Sequence, residues 1–112
     1  MIQLSAIKSK LNLNAVTDNY EDNIVTGGYA SDLLSDVLAN AKDGQIWITN
    51  QKHQNCIAVA SLLSISAIII AGGIEPDANT VEKANAEKVA LFKSDISAFD
   101  LVGQLYELGL RG

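Results

Sequence analysis

The segment Thr49-Asn50-Gln51-Lys52-His53-Gln54-Asn55 gathers amides, a lysine and the only histidine of the chain. Amides and a neutral imidazole read a polar ligand through donors and acceptors, and Lys52 can offset negative charge there. Thr49, Gln51 and His53 are therefore candidate ligand-binding residues. His53 and Cys56 are spaced i, i+3, which raises the questions of a metal and of a nucleophile. Zinc takes three or four protein ligands, and the chain has one histidine and one cysteine, so no metal site is expected. A Cys–His pair that performs catalysis adds an orienting group and an oxyanion site, and spacing alone supplies neither. A lone cysteine otherwise packs as a small apolar residue. There is no carboxylate pair, no Ser-His-Asp order and no nucleophile motif. Glu82, Glu87 and Asp100 read as solvated helix faces. The residues thus predict no catalytic set and no enzyme.

Two glycine pairs are the other features with chemical potential. In Thr26-Gly27-Gly28-Tyr29-Ala30-Ser31, glycines let backbone approach a ligand closely, and a following helix N-terminus would aim its N–H groups at an anion. Thr26, Gly27, Gly28, Tyr29 and Ser31 are candidates on that basis. The segment has neither the Gly-x-Gly-x-x-Gly spacing of dinucleotide folds nor the Lys-Ser/Thr of a phosphate-binding loop. A strand-to-helix turn that needs glycine for shape is the alternative. Gly72-Gly73 closes an apolar run and is either a ligand approach or a tight turn before Pro76. Asp95 is a strand-end carboxylate that can accept from a hydroxyl.

Elements that would position these residues follow from periodicity. Leu4, Ile7 and Leu11 share a face of a short helix over 2–11. Short strands are expected over 13–16 and 23–26, the second broken by Gly27-Gly28. Ser31 is a predicted N-cap with Asp32 in the first turn, and the helix after it would bury Leu33, Leu34, Val37, Leu38 and Ala41. Gly44 is expected as a left-handed terminator. Gln45–Thr49 reads as a strand and Cys56–Leu63 as a helix apolar nearly all round. Ala67–Ala71 is a β-branched run of the kind buried on both faces of a parallel sheet. Glu75-Pro76-Asp77 starts a helix with Ala78, Val81 and Ala84 inward. Val89–Phe92 reads as a strand. Ser97 caps a last helix that would bury Phe99, Leu101, Val102, Leu105 and Leu108. Alternation of strand and helix from residue 23 onward implies an α/β fold with a parallel sheet. Ligands of such sheets lie beyond the carboxyl ends of the strands, which selects the loops 26–31, 49–55, 71–77 and 93–97.

Bulk properties narrow the function classes. At 112 residues and 48% hydrophobic, the chain suits one domain over 1–112 that would bury roughly 60–70% of its unfolded surface. A formal charge of −5 repels phosphate backbones, so nucleic acid is not the expected partner. One cysteine cannot form an internal disulfide and fits a reducing, cytoplasmic setting. The N-terminus lacks a basic stretch followed by an apolar run, so no secretory leader is expected. The apolar stretch 56–73 is interrupted by serines and reads as helix plus strand, not as a membrane span.

Taken in order, Val25–Asp32, Gly44–Thr49, Ile68–Asp77, Val89–Phe92 and Asp95–Phe99 resemble a DRTGG domain over roughly residues 20–108. That resemblance implies a three-layer α/β domain with a mainly parallel sheet and helices on both faces, similar to the N-terminal domain of HPr kinase/phosphorylase. It implies a regulatory, non-catalytic and homodimeric module, with an adenine nucleotide as its regulatory ligand and no other cofactor. It carries over Gly28, Tyr29, Ser31, Gly72 and Gly73. The family's Asp-Arg region here reads Asn50-Gln51-Lys52-His53, without the arginine that would grip phosphate bidentately, and its Thr-Gly-Gly region reads Ala71-Gly72-Gly73. Nothing resembles a kinase domain or an ATP-binding Walker loop. Short stand-alone relatives occur with iron hydrogenase systems. The alternative expectation is therefore an accessory subunit that docks on a larger redox enzyme and binds no ligand.

Overall fold

The structure is a computed structural model that describes residues 1–112. Its centre is a five-stranded sheet. Strands β4 (Gly27–Ala30), β5 (Gln45–Thr49), β6 (Ala67–Ile70) and β7 (Leu91–Lys93) run parallel, and β2 (Asn14–Ala15) pairs antiparallel with β7. The spatial order is β2-β7-β6-β5-β4. A separate two-stranded ribbon joins β1 (Ile2–Gln3) to β3 (Ile24–Val25). The sheet has helices on both faces, so the expected three-layer α/β architecture is the observed one.

Alternation along the strands explains the layers. Ile46 and Ile48 of β5 and Ala67, Ile69 and Ala71 along β6 face one cluster, with α1 (Leu4–Lys10) and α5 (Ala98–Glu107). Trp47, Ile68 and Ile70 face the other, with α2 (Leu34–Asn40), α3 (Asn55–Leu63) and α4 (Ala78–Glu87). Every residue of β5 and β6 is buried, as a strand covered on both sides requires. Each fully buried isoleucine there contributes roughly 1.5–3 kcal/mol relative to exposure. Parallel strands added in one direction through crossovers of one hand leave their helices on one face. This is why α2, α3 and α4 share a layer.

Several expectations need correction. The residues 23–26 do not start the main sheet: Ile24 and Val25 pair with β1, and the main sheet opens with Gly27–Ala30. Gly27 and Gly28 therefore do not break a strand; they lie in one. The helix predicted over 2–11 begins at Leu4, after the two residues of β1, and buries Leu4 and Ile7 as its spacing implies. In α2 only Val37 is buried and Ala41 follows it into the core, whereas Leu33 and Leu38 are exposed. This seven-residue helix lies over the edge of the sheet, beside α3 alone. Its cap residue is Leu33, without a side-chain cap, and not Ser31.

On α5, Leu101 and Leu105 are buried and Leu108 packs against them, while Phe99 is 86% exposed and Val102 is also exposed. Two residues of helix turn through about 200°, so Phe99 and Leu101 belong to opposite faces. Ser97 does cap this helix, its Oγ accepting from the Asp100 N–H at 3.2 Å. On α4 the inward pair is Thr80 and Ala84; Val81 is half-buried and Ala78 exposed. Strand β7 starts at Leu91, because Lys88 adopts φ 58° and Val89 N–H closes back on the Ala84 carbonyl. No helix is long and apolar enough to cross a membrane.

Candidate functional site

The carboxyl ends of β4, β5 and β6 surround a cavity of about 430 Å³ lined by Asp32, Asn50, Gln51, Lys52, His53 and Ile74. That volume lies within the range of small-ligand sites. Its location follows from the sheet. The connection after β6 leads to α4 on one face and that after β7 to α5 on the other, the arrangement that opens a crevice between strand ends. Here that crevice is closed, because Gly72 N–H donates to the Ile96 carbonyl at 2.8 Å and Gly73 N–H to the Ser94 carbonyl at 2.9 Å. The open space is displaced toward β5.

A hydrogen-bond network sets the floor and one wall. Asp32 follows β4, and its Oδ1 accepts from Thr49 Oγ1 at 2.8 Å and from the Asn50 N–H at 2.7 Å. Gln51 Nε2 donates to the Asp32 carbonyl at 2.7 Å, and the Gln51 N–H donates to Thr49 Oγ1 at 3.1 Å. The buried Trp47 donates from Nε1 to the Ser31 carbonyl at 2.8 Å, which pins the same turn onto β5. Four hydrogen bonds thereby tie the Ser31–Asp32 turn to the distant end of β5 and the loop after it.

Lys52 and His53, which also line the cavity, are fastened to the start of α4. His53 Nδ1 lies 2.7 Å from Asp77 Oδ2, and Lys52 Nζ lies 3.9 Å from Asp77 Oδ1. Behind them the Lys52 carbonyl accepts from the Asp77 N–H at 3.1 Å and from Thr80 Oγ1 at 2.7 Å. This bond accounts for a threonine at the fully buried position of α4. The Lys52 and His53 side chains remain well exposed, at 49% and 59%, so both can reach a solvent-borne anion.

Of the residues singled out from sequence, Gln51 and His53 line the cavity, Thr49 positions Asp32, and Ser31 sits in the turn above β4. Gly72 adjoins the Asn50 side chain, and Gly73 adjoins Asp95, with both glycines at left-handed φ of 73° and 74°. Thr26, Gly27 and Gly28 are not at this end. They lie beside Gly44, Gln45 and Ile46, at the amino end of the sheet. A side chain at Gly27 would overlap the Arg111 carbonyl oxygen, which also accepts from the Gly28 N–H at 3.0 Å. Close approach is the reason for glycine there, and what approaches is the chain's own C-terminal segment.

Tyr29 points to the α2 layer and donates to Asp36 Oδ1 at 2.9 Å. The Ser31 and Tyr29 hydroxyls and the Asn40 amide hold the Asp36 carboxyl below its ordinary value, and Asp36 in turn raises the Tyr29 phenol. The first turn of α2 thus already has a carboxylate, so the anion once expected beside Ser31 has no place. Sequence reasoning passed over Asp32, Asn50 and Asp77 as site residues. The available signal was a carboxylate or amide between each strand end and the helix that follows it.

Cys56 is not part of any reactive pair. Its Sγ donates to the His53 carbonyl at 3.0 Å, and burial pushes the thiol up to about 11. No group of three or more His, Cys, Asp or Glu side chains is placed to hold a metal ion.

The fold is a small α/β domain of DRTGG-like architecture. Among solved structures, the chain is similar to the CBS and DRTGG domains of the regulatory region of Clostridium perfringens pyrophosphatase, in complex with the activator diadenosine tetraphosphate. The TM-score is 0.70 at 17% identity, and the match covers 96% of this chain and 47% of that one. The chain therefore spans about half the length of the structure it matches. No family model matches the sequence, and no curated protein matches it.

Proposed function

We propose that the chain is a non-catalytic regulatory domain that binds a small anionic, nucleotide-like ligand in the cavity beyond β5, and that it works as a cytoplasmic homodimer. The observation that carries this reading is a 430 Å³ cavity lined together by Lys52 and His53, both exposed, and by the pinned Asp32 and Asn50. Lys52 supplies an ammonium to an anion, a role open to a point charge where no arginine fork exists, and His53, whose Nδ1–H is directed at Asp77, adds an Nε2–H donor when its ring is protonated. The neutral, buried thiol of Cys56 leaves His53 without a nucleophile to activate, which supports a binding and not a catalytic role. The solved neighbour is a regulatory region bound to a dinucleotide polyphosphate activator, and its fold carries the same idea to this chain.

A specific surface supports partner binding. Phe99, Val102 and Tyr106 form an exposed stripe on α5, and Arg111 stacks on the Tyr106 ring at 3.6 Å. In the homodimer a second copy covers this stripe. The second reading, an accessory subunit without a ligand, gives it to a larger redox enzyme. Thermal unfolding with adenosine diphosphate and pyrophosphate, combined with light scattering, tests both. Ligand at about a hundred times Kd adds about 2.7 kcal/mol, a rise of several degrees in Tm, and Lys52→Ala removes it. The absence of any shift from phosphate compounds removes the ligand reading, and a monomer in solution removes the homodimer.

A further inference from the structure

Asp32 is bound through one oxygen only. Oδ1 takes two short hydrogen bonds, from Thr49 Oγ1 at 2.8 Å and the Asn50 N–H at 2.7 Å, while Oδ2 receives no donor from the protein. The carboxylate lines the cavity together with Asn50, whose side-chain amide also makes no hydrogen bond within the protein. Thr49 is buried, and Gln51 ties down the Asp32 backbone. Asp32 is exposed, but the two bonds to Oδ1 fix the orientation of its carboxylate and so the direction in which Oδ2 points.

An ionised carboxylate oxygen only accepts, so whatever meets Oδ2 must donate. A carboxylate whose other oxygen already holds two donors has part of its charge answered, which suits a hydroxyl. Beside it, the Asn50 amide offers both a donor and an acceptor. Two adjacent hydroxyls match this pair: one donates to Asp32 Oδ2, and its neighbour exchanges a hydrogen bond with Asn50. Lys52 and His53 line the same cavity, the first with an ammonium and the second with an imidazole held by Asp77. A ligand that carries both a vicinal diol and an anion is complementary to this lining.

We infer that the cavity reads the ribose of a ribonucleotide, with Asp32 Oδ2 and Asn50 on the 2′,3′-diol and Lys52 and His53 on the phosphates. The inference rests on the anion site proposed above and adds the sugar as the determinant of specificity. Asp32→Asn is the informative variant. Its amide oxygen can still accept from Thr49 and Asn50, so the turn is kept, while the other position loses its charge and no longer accepts a hydroxyl proton.

The experiment is calorimetric titration of the full chain with adenosine 5′-diphosphate and with its 2′,3′-dideoxy analogue. A site built around hydroxyl groups rejects the analogue that lacks them. In this open cavity the expected preference for the ribonucleotide is about tenfold, the equivalent of one hydrogen bond to a charged group. Asp32→Asn is expected to erase that preference and to leave affinity for the dideoxy compound unchanged. Equal affinity of the wild-type chain for both compounds overturns the diol reading and leaves the anion site standing. Binding of neither overturns both. A preference that survives in Asp32→Asn also overturns the assignment, because the sugar would then be read elsewhere.

Discussion

Gly27-Gly28 and Gly72-Gly73 are the same dipeptide at opposite ends of one sheet. The first pair lies in edge strand β4 with ordinary extended backbone, and glycine is needed because the Arg111 carbonyl lies where a Cβ would be. The second pair follows β6 with both φ angles positive, and glycine is needed for the turn itself. One is a demand of tertiary packing and the other a demand of local conformation. Only the second comes near the candidate cavity, where Gly72 adjoins the lining residue Asn50.

Substitution separates the two causes. Gly27→Ala is expected to cost the most, about 1–3 kcal/mol, as for other side chains forced into filled space, read from urea midpoints. Deleting Arg111 and Gly112 should return most of that loss, since the obstacle leaves with the segment. If the deletion returns nothing, the close approach is not what selects glycine at this position.

Gly72→Ala and Gly73→Ala should each cost about 1–2 kcal/mol for holding an L-residue in the left-handed region, and the same deletion should not relieve them. The two losses should be alike, because the added Cβ atoms meet only ordinary contacts, Asn50 Oδ1 at 3.9 Å and Asp95 Oδ1 at 3.4 Å. Both should weaken nucleotide binding, whereas Gly27→Ala should change stability alone.

The smallest effect concerns acid. Asp36, beyond the carboxyl end of β4, is held below the ordinary 3.8 by the Ser31 and Tyr29 hydroxyls and Asn40. A carboxyl depressed in the folded state contributes stability above its unfolded value, and that stability is lost as pH falls through the folded one. The urea midpoint of Asp36→Asn should therefore trail the wild type near neutrality and converge with it in acid, below 3.8. A gap that stays constant with pH would show that the carboxylate's charge plays no part.

How much was legible follows from range. Gln45–Thr49 and Ala67–Ile70 were clear because a strand buried on both faces is apolar at every position. Ser97 was clear because capping is a contact of three residues. Phe99 and Leu33 were misplaced inward because apolar character was counted without its angle, or without asking whether the helix has neighbours on both sides. In the site, the 49–55 loop was legible as a concentration of amides. Asp32 and Asp77 were not, since their partners lie 17 and 24 residues away.

By itself, the sequence determined the alternation of strands and helices, the two strands at the centre of the sheet, and the polar loop that follows β5. These are properties of neighbouring residues, decided by pleat, helical turn and apolar pattern. The tertiary structure alone decided which glycine pair stands near the ligand end, that Asp32 is pinned by Thr49 and Asn50, and that His53 faces Asp77. Each of these depends on which strand ends become neighbours, and that is decided by burying both faces of the sheet at once.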